Sequence, residues 1–299
     1  MVNDASTQVI INSQAGGAEG NSDQLEARLR KYATWRVDVA RSGEDLSCVI
    51  SRAVNGDAKI VIAAGGDGTV NAVASSLVGT DKIFGILPTG TLNHFAKDLG
   101  LPLELDAALK TIEQGYTARV DVGAVNGEIF LNNSSLGLYP SIVKERQKQQ
   151  RLGSGKWAAF IWATVTVLRR YPFLDVRLAF DGTTYDRRTP FVFIGNNRYE
   201  MERFNIGGRA CLDRGELSLY MTDHTGRLGL IRLALRALFG GLLKEKDFTA
   251  MCTQEIWIGT RHSHLRVALD GEIKEMRPPL VYRVRPGALC VLVPNGRQS

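Results

Sequence analysis

Cysteine is scarce in this chain of 299 residues: Cys48, Cys211, Cys252 and Cys290 stand far apart and form no C-x-x-C pair. That scatter argues against a zinc site or a disulfide framework and suits a reducing compartment. Long apolar runs are missing too. The longest nearly apolar one, 157–168, has twelve residues, against the roughly 20 needed to span a bilayer. The opening MVNDASTQVIINSQ lacks a basic segment followed by an apolar core, so no signal peptide and a cytoplasmic location are expected. There is no internal repeat and no low-complexity tract. What remains is an ordinary globular composition in a chain too long for one comfortable core, which implies two domains.

Surplus charge is absent from most of the chain. The whole net charge of +6 is accounted for by residues 141–172, where Lys144, Arg146, Lys148, Arg151, Lys156, Arg169 and Arg170 are offset only by Glu145. The balanced remainder speaks against a nucleic-acid binder. Trp157, Phe160, Ile161 and Trp162 follow the basic stretch at near-helical spacing, a combination suited to anionic headgroups. In LGLIRLALRALFGGLLKEK, 228–246, Arg232 and Arg236 sit four apart among leucines, as snorkelling arginines of a core helix would. Buried packing is the plainer reading of each segment alone. The charge tilts only the first toward transient association with a membrane surface. The pair His262 and His264 has no acidic or cysteine partner close in sequence and reads as exposed rather than metal-binding.

Up to about residue 120, strands (8–12, 35–40, 60–64, 83–87) alternate with helices (22–32, 44–54, 69–77, 92–99, 105–114), the pattern of βαβ crossovers and a parallel sheet. Beyond residue 119, Asn126-Gly127 and Asp181-Gly182 separate alternating runs as hairpin turns do. Further strands are expected at 216–221, 255–258, 265–269, 280–285 and 288–293, with helical insertions at 155–170 and 227–243. The second half therefore reads as an antiparallel sandwich or distorted barrel.

Three loops carry chemistry. A buried-type strand, Ile60-Val61-Ile62-Ala63-Ala64, runs into Gly65-Gly66-Asp67-Gly68-Thr69. A glycine turn at a strand's carboxyl end, opening a helix, is a natural anion cradle. Asp67 in its midst is a natural ligand for a hard cation, and the pair suggests Mg-nucleotide chemistry. Pro88-Thr89-Gly90-Thr91-Leu92-Asn93 is a second such turn at the same sheet edge, in which Thr91 and Asn93 can also simply cap a helix. The third, Asp270-Gly271-Glu272, sets two carboxylates around a glycine expected to turn a hairpin; by itself it supports no catalytic reading.

Together, GGDGTVN, GILPTGTLNHFAKDLG, RVDVGAVNGEIFLNNSSLG, IGNNRYE, ACLDRGELSL and VALDGE follow in the order found in bacterial soluble lipid kinases. From about residue 9 to 293 the chain resembles the diacylglycerol kinase catalytic-domain family, which includes sphingosine and ceramide kinases. The resemblance implies a phosphofructokinase-like α/β nucleotide domain, 1–122, and a β-sandwich lipid domain, 123–285. The family's C-terminal strand often returns to the first domain, here about 286–299. It also implies transfer of the ATP γ-phosphoryl group to a lipid hydroxyl with Mg²⁺, and a family habit of pairing as homodimers. Gly65, Gly66, Gly68, Thr69, Val70, Asn71, Gly90 and Thr91 would hold phosphates. Asp67 and Asp121 would organise Mg²⁺, Asp121 through water, and Glu272, with Asp270 nearby, would accept the lipid hydroxyl proton.

Departures are specific. Asn12-Ser13-Gln14-Ala15-Gly16 lacks the family's proline, His94 replaces an aspartate, and Arg214 stands in the L-D-D-G motif where a structural cation normally binds. The alternatives are an NAD-kinase-like enzyme, against which the β-rich half and its D-G-E turn count, and a non-catalytic lipid- or nucleotide-binding protein.

Overall fold

The structure, a computed structural model, describes residues 6–14, 22–32, 34–137, 173–202, 205–209, 211–222 and 248–296. The expected helical insertions at 155–170 and 227–243, and with them the basic 144–156 stretch, lie outside these residues. The chain forms two compact units. One comprises Met1–Val122, Leu212–Arg214 and Arg285–Ser299; the other comprises Gly123–Cys211 and Gly215–Val284. The short return of Leu212–Arg214 to the first unit has no counterpart in the sequence reading.

In the first unit β1 (Thr7–Asn12), β2 (Trp35–Ala40), β3 (Ile60–Gly65) and β4 (Ile83–Pro88) lie parallel in the order β2-β1-β3-β4. The far end of β18 (Leu280–Leu292) adds parallel to β4 through Cys290 and Val291. Every residue of β3 is buried, as an uninterrupted apolar strand covered on both faces must be. Val9, Ile11, Ile60, Ile62 and Ala64 share one core cluster with Leu25 and Leu29 of α1 (Ser22–Leu29) and Leu109 and Ile112 of α5 (Leu105–Gln114). The chain runs from β1 out to β2 and returns past β1 to β3, so the strand order reverses between β1 and β3. Such a reversal leaves a crevice at the carboxyl ends of the strands, where ligands bind in open α/β sheets.

Helix starts differ in a way that matters for this crevice. α2 (Gly43–Asn55) is capped by Ser42, whose Oγ accepts from Asp45 N, and α5 by the Glu104 carboxylate. α3 (Asp67–Leu77) begins at glycine 66 with no side-chain cap. It starts two residues earlier than its periodicity suggests, so Asp67 is helical. α4 is only His94–Asp98, because Asn93 adopts a left-handed φ of 52° that ends any helix before it.

The second unit is a sandwich of antiparallel sheets. One has the order β14 (Phe248–Thr253), β13 (Leu217–Thr222), β10 (Phe191–Asn196), β7 (Asn133–Gly137), β16 (Leu265–Leu269) and β17 (Glu272–Met276). The other is built from β8 (Leu174–Phe180), β9 (Thr183–Thr189), β15 (Glu255–Thr260) and the near end of β18. Leu136, Val192, Ile194, Leu219 and Val267 from the first sheet pack with Val176, Leu178, Ile256, Ile258 and Tyr282 from the second. A hairpin of β5 (Thr117–Val125) and β6 (Glu128–Phe130) turns at Asn126-Gly127, and β11 (Tyr199–Glu202) pairs with β12 (Asn205–Arg209). β18 corrects the sequence reading, which splits it in two. Gly287 takes a left-handed φ of 56° inside the strand, which continues through it.

Candidate active site

In the first unit the two glycine turns meet. β3 and β4 end in register, Gly65 beside Pro88, so the turns leave the sheet at one edge. A Cβ placed on Gly90 would lie 2.3 Å from Gly66 Cα, so backbone touches backbone where any side chain would intrude. Asp67 ties the turns together. Its Oδ2 accepts from Asn93 N at 2.9 Å and its Oδ1 from His94 N at 2.7 Å. The carboxylate, not Asn93, thus caps α4. The Asn93 side chain bends back instead, accepting from Gly90 N at 3.1 Å and donating to Gly90 O at 2.8 Å. The acidic group at the start of α3 also suits the positive end of that helix's dipole.

The expected phosphate contacts differ in what they can offer. Thr69 is buried, and its Oγ1 accepts from Asn12 Nδ2 at 2.8 Å. That bond crosses the crevice between β1 and β3 and, because the hydroxyl only accepts in it, leaves Thr69 its O–H as well as its backbone N–H to donate to a ligand. Val70 buries its side chain and donates its N–H to Gly66 O; this removes it as a phosphate contact. Asp67, Gly68 and Thr69 occupy the first turn of α3, whose N–H groups have no intrahelical acceptor. Gly68, Thr91 and the His94 residue are exposed, while Gly66, Gly90 and Asn71 are half-buried.

Asp121 lies 2% exposed in β5. Its Oδ1 accepts from Gly287 N at 2.8 Å, and its own N–H donates to Leu212 O at 2.7 Å. That explains the return of Leu212–Arg214 to this unit: the segment is pinned to β5 at Asp121. Among the described residues no group of three or more His, Cys, Asp or Glu gathers. An all-protein metal cage is therefore not present there. A lone carboxylate beside an anion cradle, as at Asp67, is the kind of donor Mg²⁺ takes together with substrate phosphates.

The D-G-E turn belongs to the second unit. Asp270 has φ 46° and Gly271 φ 90°, as a primed hairpin turn requires. Asp270 keeps some exposed surface, but its carboxyl group is enclosed. Oδ2 accepts from Leu131 N at 2.7 Å; Oδ1 accepts from Asn132 N at 2.8 Å and Asn133 N at 2.9 Å. Burial pushes this carboxyl above its ordinary range, against the pull of the three N–H groups and of nearby Arg209. A group so occupied positions its turn. Glu272, two residues on, pairs with Leu269 in the β16–β17 ladder, while its exposed side chain has no hydrogen bond or ion pair among the described residues. The sequence reading missed Arg209, Asn132 and Asn196, which surround this turn; their motifs were visible but nothing linked them to residue 270.

Residues 6–125 match the family described as "Diacylglycerol kinase catalytic domain", and residues 136–293 match "YegS C-terminal NAD kinase beta sandwich-like domain". The second description likens the sandwich to that of NAD kinase, so a β-rich second half does not by itself separate the two kinase classes. A Pseudomonas aeruginosa protein named "Probable lipid kinase YegS-like" is 31% identical over 96% of this chain and 94% of its own length. A Staphylococcus aureus "Diacylglycerol kinase" is 28% identical over 89% and 85%. A solved diacylglycerol kinase structure from Bacillus anthracis covers 97% of each chain with a TM-score of 0.69 at 21% identity, a likeness of fold. The chain belongs to the diacylglycerol kinase catalytic-domain family, phosphotransferases that act on an alcohol group.

Proposed function

We propose that this lipid kinase transfers the γ-phosphoryl group of ATP to the hydroxyl of diacylglycerol or a related lipid. The observation that carries the reading is the uncapped start of α3 lying against the Gly90 turn at the strand-order reversal. Backbone N–H groups with no acceptor, beside a turn kept free of side chains, suit a polyphosphate. Asp67 and Asp121 would hold Mg²⁺, Asp121 through water, and the ion would neutralise charge on the transferring phosphoryl group.

The remaining roles fall to the chain itself. The N–H groups of Gly68 and Thr69 orient the phosphates, and the Gly66 and Gly90 backbones allow close approach. Glu272 accepts the proton of the lipid hydroxyl as its oxygen bonds to the γ-phosphorus and the bond to ADP breaks. Its side chain's exposure and freedom from partners suit a base that must meet an incoming substrate. Asp270 holds the turn. A lipid acceptor brings the protein to a membrane surface, for which the basic 144–156 stretch is the proposed contact; sedimentation with acidic vesicles, lost at high salt, tests that part.

The central test is phosphate transfer from labelled ATP to a lipid panel by the wild type, Asp67→Ala and Glu272→Gln. Turnover of one lipid that Asp67→Ala abolishes supports the reading. Binding of ATP and lipid without turnover by the wild type refutes it.

A further inference from the structure

Arg209 is the one buried cation among the described residues, 3% exposed, and the proposed reaction gives it no part. Burying a guanidinium is costly unless its donors and its charge are both answered. Its donors are answered by one loop and one neighbour. Nη1 donates to Leu131 O at 2.7 Å and Asn196 O at 2.8 Å, and Nη2 to Asn132 Oδ1 at 2.9 Å. The ring of Tyr199 lies 5.7 Å from the guanidinium carbon. Its charge is answered by Asp270, whose carboxyl it pulls toward the ionised form.

The two charges act through one peptide. The Leu131 carbonyl accepts from Arg209, with a second bond from Asn196 Nδ2 at 2.9 Å. The N–H of that same peptide, on Asn132, donates to Asp270 Oδ1. Cation, peptide dipole and anion therefore stand in series, an arrangement in which each hydrogen bond polarises the next. Asp270 N returns a bond to Asn133 O at 2.9 Å, closing the loop onto the turn. Glu272, whose side chain has no described partner, takes its direction from that turn.

We propose that Arg209 is a positioning residue for phosphoryl transfer: by clamping the Leu131–Asn132 peptide against Asp270, it fixes the Asp270-Gly271 turn and so aims Glu272. The proposal rests on Glu272 being the base. Arg209→Met keeps the length and apolar stem but removes charge and donors. Arg209→Lys restores the charge and can reach Leu131 O and Asn196 O, but it has no second arm for Asn132 Oδ1.

The experiment pairs amide hydrogen exchange, which needs no substrate, with transfer from labelled ATP to dioleoylglycerol in detergent micelles. In Arg209→Met the amides of Leu131, Asn132 and Asn133 should exchange at least about 10-fold faster, since the clamp that holds their loop against the Asp270 carboxylate is gone. The kcat should fall about 10- to 100-fold, the scale set by slight misplacement of a catalytic group, while KM for ATP stays unchanged. Arg209→Lys should recover part of both losses. Wild-type exchange at Leu131–Asn133 in Arg209→Met overturns the clamp, and faster exchange with wild-type kcat overturns its role in aiming Glu272. Where Arg209→Met does not fold, Arg209→Lys decides: an intermediate kcat at native melting temperature supports the proposal, and a wild-type kcat sinks it. Full turnover by Glu272→Gln refutes the base assignment instead, leaving the clamp to be judged by exchange alone.

Discussion

Gly66 and Gly90 share one contact but should respond to mutation very differently. A Cβ on Gly90 would lie 2.3 Å from Gly66 Cα, 3.2 Å from Gly66 N and 2.9 Å from Asn93 Oδ1. Carbon atoms pack at about 3.5–4.0 Å, so Gly90→Ala must part the turns by at least about 1 Å. The obstacle is backbone at the start of α3, which cannot swing aside as a side chain would. In the reverse direction, a Cβ on Gly66 would sit 3.4 Å from Gly90 Cα, and Gly66 has an extended backbone any residue adopts, φ −88° and ψ −174°. Gly90→Ala should therefore destabilise the chain by about 1–3 kcal/mol through overpacking. It should also weaken ATP binding roughly 10-fold or more, because displaced N–H groups no longer converge on one phosphate. Gly66→Ala should cost under about 1 kcal/mol, near the tolerance for small changes in packing. Titration calorimetry with a non-hydrolysable ATP analogue, alongside chemical denaturation, reads both effects. Equal affinities for the wild type and Gly90→Ala would refute the packing of the two turns described here.

Further outcomes follow from single residues. Glu272→Gln should lower kcat by about 10²–10⁴-fold, the contribution of a general base, with no change in melting temperature, because the side chain is exposed. Asp121→Ala leaves the Gly287 N–H without its acceptor and should cost about 1–3 kcal/mol in denaturant midpoint measurements; a smaller loss would mean Gly287 finds another partner. Arg177 and Asp186 pair on an exposed sheet face, so Asp186→Ala should leave stability unchanged in thermal melts. Asp270 titrates above its ordinary value of 3.8. Between that value and the raised one the native chain keeps a proton the unfolded chain has lost, so this group's stabilisation declines as pH rises through the window. Asp270→Asn should flatten that slope in urea midpoints measured at pH 4 and above; an unaltered slope would assign it to other carboxylates.

The first unit was largely legible because its signals are local. β2 and α5 are legible from the sequence with their observed bounds, since apolar runs lie within the elements and the cap and glycine stop immediately beside them. The errors there come from long-range bonds. Asn93 looks like a helix cap until Asp67, 26 residues earlier, takes that task. The Thr69 hydroxyl looks open until Asn12 is found donating to it across the crevice. In the second unit the hairpin turns were visible, but Asp270 meets partners nearly 140 residues away. Nothing in a D-G-E tripeptide distinguishes a carboxylate enclosed by three N–H groups from one open to solvent.

Strand β18 also bears on how this protein can be dissected. The chain passes between the units at residues 122–123, 211–212, 214–215 and 284–285, so neither unit is a single stretch of coding sequence. A fragment ending at residue 122 would keep the glycine turns yet leave the flank of β4 bare where Cys290 and Val291 now pair with Ile83 and Phe84. A bare strand flank recruits other chains. Such a fragment is expected to aggregate, whereas grafting the last strand onto it through a short designed linker should keep it monomeric.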